Sequence, residues 1–150
     1  MLVASPRARN STTAQTLAAT DPDFARALRG DGASYRDARM RTIFAMAPAL
    51  GAAVTADSLG KIEIPTVIVA GEADSVVPVD ANAKYYAEKI PHTELTIFPA
   101  GVDHYTFLDV CTAQGRRALP ALCVDHPGVD RAAIHDSVAN LAAKFFGVHL

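Results

Sequence analysis

The sequence predicts an α/β fold: about three parallel strands flanked by helices. Three observations predict it. Short apolar runs rich in β-branched residues recur along the chain, amphipathic helical patterns lie between and after them, and Gly, Pro and Asp mark the changes from one to the next. Runs that stay apolar at consecutive positions fit strands buried on both faces, as parallel sheets require. Strands alternating with helices argue for a sheet wrapped by helices.

Residues 1–35 are rich in Ala, Ser, Thr, Asp and Gly and weakly periodic, so they read as an irregular N-terminal segment. One short helix is expected within it, with Asp21 as N-cap, Pro22 at the first helical position and Gly30 as its stop. Residues 41–48 (RTIFAMAP) form the first apolar run and the first expected strand. Residues 65–70 (PTVIVA), followed by Gly71, repeat the pattern with four consecutive β-branched residues. Residues 94–99 (ELTIFP) are the third run. Between the last two, Asp80 is expected to cap a helix over residues 81–90, with Ala83, Tyr86, Ala87 and Ile90 on one face. Residues 111–130, broken by Pro120 and Pro127, read as irregular. Asp130 then caps a last helix whose stripe is Ile134, Val138, Leu141 and Phe145, with Gly147 closing it.

A chain of 150 residues suits a single domain, and no repeat, low-complexity tract or linker divides it. The net charge of −2 offers no basic excess to attract nucleic acid. No apolar run approaches the roughly 18 residues of a membrane span. In residues 1–10 the charges of Arg7 and Arg9 follow the apolar start, the reverse of a signal peptide, so a cytoplasmic location is the default expectation. His92, His126, His135 and His149 are scattered without a helical metal spacing, and neither a metal nor a cofactor is expected. Cys111 and Cys123 have no metal-site spacing either. They are either two reduced, buried thiols or the ends of a small disulfide loop in an exported protein.

Parallel sheets place their sites beyond the carboxyl ends of the strands. The second run leads into GEADSVVP (residues 71–78) and the third into AGVDHY (residues 100–105). An acid, Asp74, and a histidine, His104, thus follow neighbouring strands on one edge of the sheet. A carboxylate beside an imidazole fixes its tautomer, leaving the other ring nitrogen to take a proton from a nucleophile. Asp74 is the expected orienting acid and His104 the expected general base. Plainer roles stand beside these. Asp74 suits a turn, and His104 could cap a short helix near Tyr105. Asp103 is read as pointing away from its neighbour, Glu72 as a solvated charge, and Ser75 as a turn residue. Tyr85 and Tyr86 are read as helix packing, and Met46 and Pro48 as pocket lining.

The segment GEADSVVP, a helix, a strand and then GVDHYTF resembles the last third of an α/β-hydrolase, where the acid follows the seventh strand and the histidine the eighth. AMAPALG (residues 45–51) and the CT-x-x-G…ALC pattern (residues 111–123) resemble the dienelactone-hydrolase-like branch of that family. The resemblance covers residues 20–147. It implies that the three strands are the C-terminal part of an α/β-hydrolase sheet. It also implies hydrolysis of a small or medium carboxylic ester or lactone, with Asp74 and His104 as acid and base, in a parent enzyme that could be exported.

The family's nucleophile precedes the acid, on a sharp turn of the G-x-S-x-G type. Ser5, Ser11, Ser34 and Ser58 are not flanked by glycines on both sides, and both cysteines follow Asp74. The resemblance therefore implies a truncated hydrolase: one incomplete domain over residues 1–150, two of three triad members, and no activity as an isolated chain. A non-catalytic remnant or interaction module is the alternative. A small flavodoxin-like binding domain is disfavoured, because no glycine-rich phosphate loop follows any run. The open edge of the 41–48 strand is an association hazard. It is expected to pair with a second copy or with a separate N-terminal half, to limit solubility, or to be covered by the first 35 residues.

Overall fold

The computed structural model describes residues 11–30 and 37–150. The expectations for residues 1–10 and 31–36, including Ser5 and Ser34, lie outside the described residues.

Three strands form one sheet: β1 (Ile43–Met46), β2 (Thr66–Gly71) and β3 (Thr93–Phe98). They lie in sequence order and all pair in parallel, with Phe44 opposite Val67 and Val67 opposite Glu94. β2 is central, and every one of its residues is buried. That is why its sequence is continuously apolar and does not alternate: both of its faces are covered.

On one face Ile68 and Ala70, with Ala45 and Leu95, pack against Leu59, Ala83, Tyr86 and Ile90. These come from α3 (Ala56–Leu59), α4 (Ala83–Lys89) and the residue that ends α4. On the other face Val67 and Val69, with Phe44 and Phe98, pack against Ile134, Val138, Leu141 and Phe145 of α7 (Arg131–His149). The rings of Phe44, Phe145 and Phe146 meet there at centroid distances of 5.4–6.3 Å. This is an open α/β sheet of three parallel strands flanked by helices.

The elements differ from the sequence expectations in four places. Residues 12–29, expected to be irregular apart from one helix, hold two: α1 (Thr12–Thr20) and α2 (Pro22–Arg29). Asp21 caps α2 through the amides of Asp23 and Phe24, whereas α1 starts from Ser11, whose hydroxyl accepts from the Ala14 amide. Neither helix has a buried residue, so α1 carries no apolar period to read. The helix expected from residue 81 begins at Ala83 behind Asn82, while Asp80 pairs with Lys84 at 2.7 Å. Residues 111–130 hold α5 (Ala113–Ala118), capped by Thr112, and α6 (Pro120–Cys123). Finally, α7 runs through Gly147 to His149. A Cβ at Gly147 would meet nothing within 4 Å, so no close approach demands a glycine stop there. Cys111 and Cys123 form a disulfide across α5 and α6, with their Cα atoms 5.5 Å apart.

Candidate acid–histidine site

The loops after β2 and β3 leave the sheet side by side at its carboxyl end, and backbone contacts clamp them together. The Glu72 amide donates to the Phe98 carbonyl at 2.9 Å and the Ala73 amide to the Val102 carbonyl at 3.0 Å. Gly71 permits this approach, because a Cβ there would lie 2.2 Å from the Val102 carbonyl oxygen. The β3 loop turns sharply through Ala100 (φ 57°) and Gly101 (φ 87°), both in the left-handed region. Glu72 is more than a solvated charge, since its Oε2 accepts from the Ala100 amide at 3.1 Å and so fastens that turn.

Asp74 is buried, at 5% exposure. Its two carboxylate oxygens do different things. Oδ1 accepts from the amides of Val76 (3.1 Å) and Val77 (2.6 Å), which closes the loop as an Asx turn. Oδ2 faces His104 Nδ1 at 2.9 Å. The turn role and the pairing with histidine are therefore both filled, each by its own oxygen.

His104 opens a single 3-10 turn (His104–Phe107). Asp103 caps this turn: its carboxylate accepts from the His104 amide, and its own amide donates to Thr106 Oγ1 at 3.2 Å. Capping turns the Asp103 side chain toward its own turn, where Oδ2 lies 3.5 Å from Ser75 Oγ and 3.6 Å from His126 Nε2. The imidazole is partly exposed (27%) and meets the Tyr105 ring edge-on at 5.5 Å. Its Nε2 has no hydrogen-bond partner among the described residues. Such a ring has a carboxylate at one nitrogen and open access at the other. It is arranged to carry the proton on Nδ1 and accept one at Nε2.

Among the described residues no hydroxyl occupies that open position. Ser11 caps α1, Ser58 is buried and donates to the Thr55 carbonyl, Ser75 turns to Asp103, and Ser137 donates to the Ala133 carbonyl. Met46, half exposed, lines an open cleft of about 310 Å³ with Phe107, Asp109, His135, Val138 and Ala139, whereas Pro48 does not line it.

Sequence reasoning passed over two supports. Tyr85 and Tyr86 do more than pack: their hydroxyls donate to the Val54 and Ala49 carbonyls, and Asn82 Oδ1 accepts from the Gly51 amide. These bonds hold the loop after β1 against α4. Burial, with a smaller effect from Tyr85, pushes the Tyr86 phenol above its ordinary pKa. The second support lies under the His104 turn, where Thr106 Oγ1 donates to Asp125 Oδ1 at 2.8 Å and Arg131 grips the same carboxylate at 2.9 and 3.0 Å. Burial pushes the Asp125 carboxyl pKa up, but the hydrogen bonds from Arg131 and Thr106 outweigh it and hold it below the ordinary carboxylate value.

Within the described residues no group of three or more His, Cys, Asp or Glu could hold a metal, and no helix is long and apolar enough to cross a membrane.

No family model matches the chain. Among curated proteins, it is 43% identical over 42 residues to the non-heme chloroperoxidase CPO-A1 of Kitasatospora aureofaciens, covering 28% of this chain and 15% of that protein. It is 36% identical over 45 residues to a putative non-heme chloroperoxidase of Synechocystis, covering 30% of this chain and 16% of that protein. The matched stretches thus span about a sixth of the length of these relatives. Among solved structures, a bromoperoxidase from Bacillus anthracis is 31% identical, with a TM-score of 0.31, over 35% of this chain and 19% of that one. The curated matches support an α/β-hydrolase relationship and do not single out the dienelactone-hydrolase-like branch.

Proposed function

We propose that residues 1–150 are a single, incomplete hydrolase domain: the C-terminal part of a carboxylic-ester or lactone hydrolase of the dienelactone-hydrolase-like branch. One observation carries the reading. A buried carboxylate with a separate anchor for each oxygen faces His104 Nδ1 at 2.9 Å, and among the described residues Nε2 has no partner at the carboxyl end of a parallel sheet. On this reading His104 is the general base, taking the proton of a nucleophile at Nε2 and returning it to the leaving alcohol. Asp74 holds the ring and stabilises the imidazolium between those steps.

The nucleophile and the oxyanion-hole donors come from another polypeptide segment, which docks along the edge of β1 that no described strand covers. A parallel edge strand with unpaired backbone groups favours such addition. The chain by itself is inactive. The Cys111–Cys123 disulfide supports an oxidising compartment for the parent enzyme. A non-catalytic remnant of the same descent is the second reading, favoured by the lack of any hydroxyl at Nε2 among the described residues.

A fluorophosphonate probe tests the proposal in two arms, read by intact mass and peptide mapping. The isolated chain is expected to form no adduct. The chain refolded with a polypeptide bearing a strand, a G-x-S-x-G turn and a helix is expected to label on that serine, and to lose labelling in His104→Ala. A mapped adduct within these 150 residues would overturn the claim that the nucleophile lies elsewhere. Labelling indifferent to His104→Ala would overturn the base assignment, and no labelling in a folded assembly would leave the non-catalytic reading.

A further inference from the structure

Beneath the His104 turn lies a buried polar cluster that takes no part in the chemistry described so far. Arg131 is only 7% exposed although it stands at the start of α7, one residue after the Asp130 cap. All three of its guanidinium nitrogens are engaged. Nε and one terminal nitrogen bind both oxygens of Asp125, and the same terminal nitrogen also reaches the Leu122 carbonyl at 3.0 Å. The other terminal nitrogen donates to the Asp109 carbonyl at 3.1 Å. One side chain thus joins the segment leaving the His104 turn, the end of α6 and the first turn of α7. The Cys111–Cys123 disulfide closes the same loop, with Cys111 just after Asp109 and Cys123 next to Leu122, whose carbonyls Arg131 binds.

Thr106 links this cluster to the histidine's own turn. Thr106 is 1% exposed. Its Oγ1 accepts from the Asp103 amide and donates to Asp125, and its carbonyl meets His135 Nε2 at 2.8 Å. The Asp103–Thr106 capping box sets the backbone of the His104 turn, and Asp125 with Arg131 sets Thr106. Asp74 constrains only one ring atom of His104. A single hydrogen bond fixes a distance, not the direction in which Nε2 points.

The geometry points to Thr106, Asp125 and Arg131 as positioning residues for His104: they aim a ring that Asp74 holds by one nitrogen. The inference rests on the acid–histidine reading of the site. Removing the link leaves the turn free to rotate and the His104–Asp74 bond intermittent, although neither bonded residue has changed. A histidine freed in this way distributes its neutral-form proton over both ring nitrogens.

The test is the ring ¹⁵N spectrum of His104 in the ¹⁵N-histidine-labelled full chain, at a pH where the ring is neutral. Wild type and Thr106→Ser, which keeps the hydroxyl, are expected to show the pure Nδ1–H tautomer. Thr106→Val, nearly the same shape without the hydroxyl, and Asp125→Asn are expected to lose it and show averaged nitrogens. If Asp125→Asn does not fold, Thr106→Val decides alone. Folded variants with an unchanged His104 pattern would overturn the inference and leave the acid–histidine reading standing. A wild-type ring already averaged would overturn both.

Discussion

Gly71 and the Val102 carbonyl lie closer than any side chain at position 71 would allow: a Cβ would sit 2.2 Å from that oxygen. The same carbonyl accepts from the Ala73 amide, so this contact joins the loop that carries Asp74 to the loop that carries His104. Gly71→Ala forces the two loops apart. The expected result is a stability loss of about 1–3 kcal/mol, the usual cost of overpacking a rigid site, together with loss of the His104 Nδ1–H tautomer. Chemical denaturation and the ring ¹⁵N spectrum read the two effects separately.

The Asp125–Arg131 pair predicts a pH dependence. The carboxyl of Asp125 is held below its ordinary value in the fold, so the folded state binds its proton less readily than the unfolded chain does. The resulting stability is present above the unfolded value, near 3.8, and is lost as pH falls through the lower folded value. Asp125→Asn leaves a buried guanidinium without its counter-charge and is expected to cost about 3 kcal/mol at neutral pH. The gap between wild type and variant should narrow as pH drops below about 4. Unfolding midpoints across that range check both the sign and the window.

The disulfide spans twelve positions and closes the loop that carries α5 and α6. Replacing both cysteines by serine is expected to lower stability by about 2–4 kcal/mol, the usual range for a native crosslink. A thiol count on denatured, unreduced protein should find none. Two free thiols would contradict the pairing.

Asn82 shows how a cap position can be given to another task. Its Oδ1 accepts from the buried Gly51 amide and its Nδ2 donates to the Pro78 carbonyl. Asn82→Ala leaves that amide unsatisfied and is expected to cost about 1–3 kcal/mol. The loss should appear as faster hydrogen exchange at Gly51, in the loop after β1.

The strands were legible because burial on both faces leaves a plain mark: β2 is apolar at consecutive positions with β-branched side chains. Asp74 and His104 were legible as candidates from their place just beyond β2 and β3. Their 2.9 Å separation depends on the register of two loops, which no pattern in the residues states. Helix α1 was illegible because it buries nothing, and α5 and α6 are too short to show a period. Local cues also failed to distinguish Asn82 from Asp80 as the start of α4, since the Asn82 side chain serves Gly51 and Pro78. Arg131, one residue after the expected Asp130 cap, carries no mark of its role in the sequence. Its burial follows from the return of residues 109–125 across the base of α7, a tertiary event with no local signature.

The ring ¹⁵N spectrum of His104 in wild type and in Asp74→Asn, with the ring neutral, decides whether Asp74 orients this histidine. One Nδ1–H tautomer is expected in wild type, and its loss when the Asp74 carboxylate is replaced. An identical His104 pattern in both folded proteins would mean that Asp74 does not orient this histidine, and the acid–base reading of the site would fall.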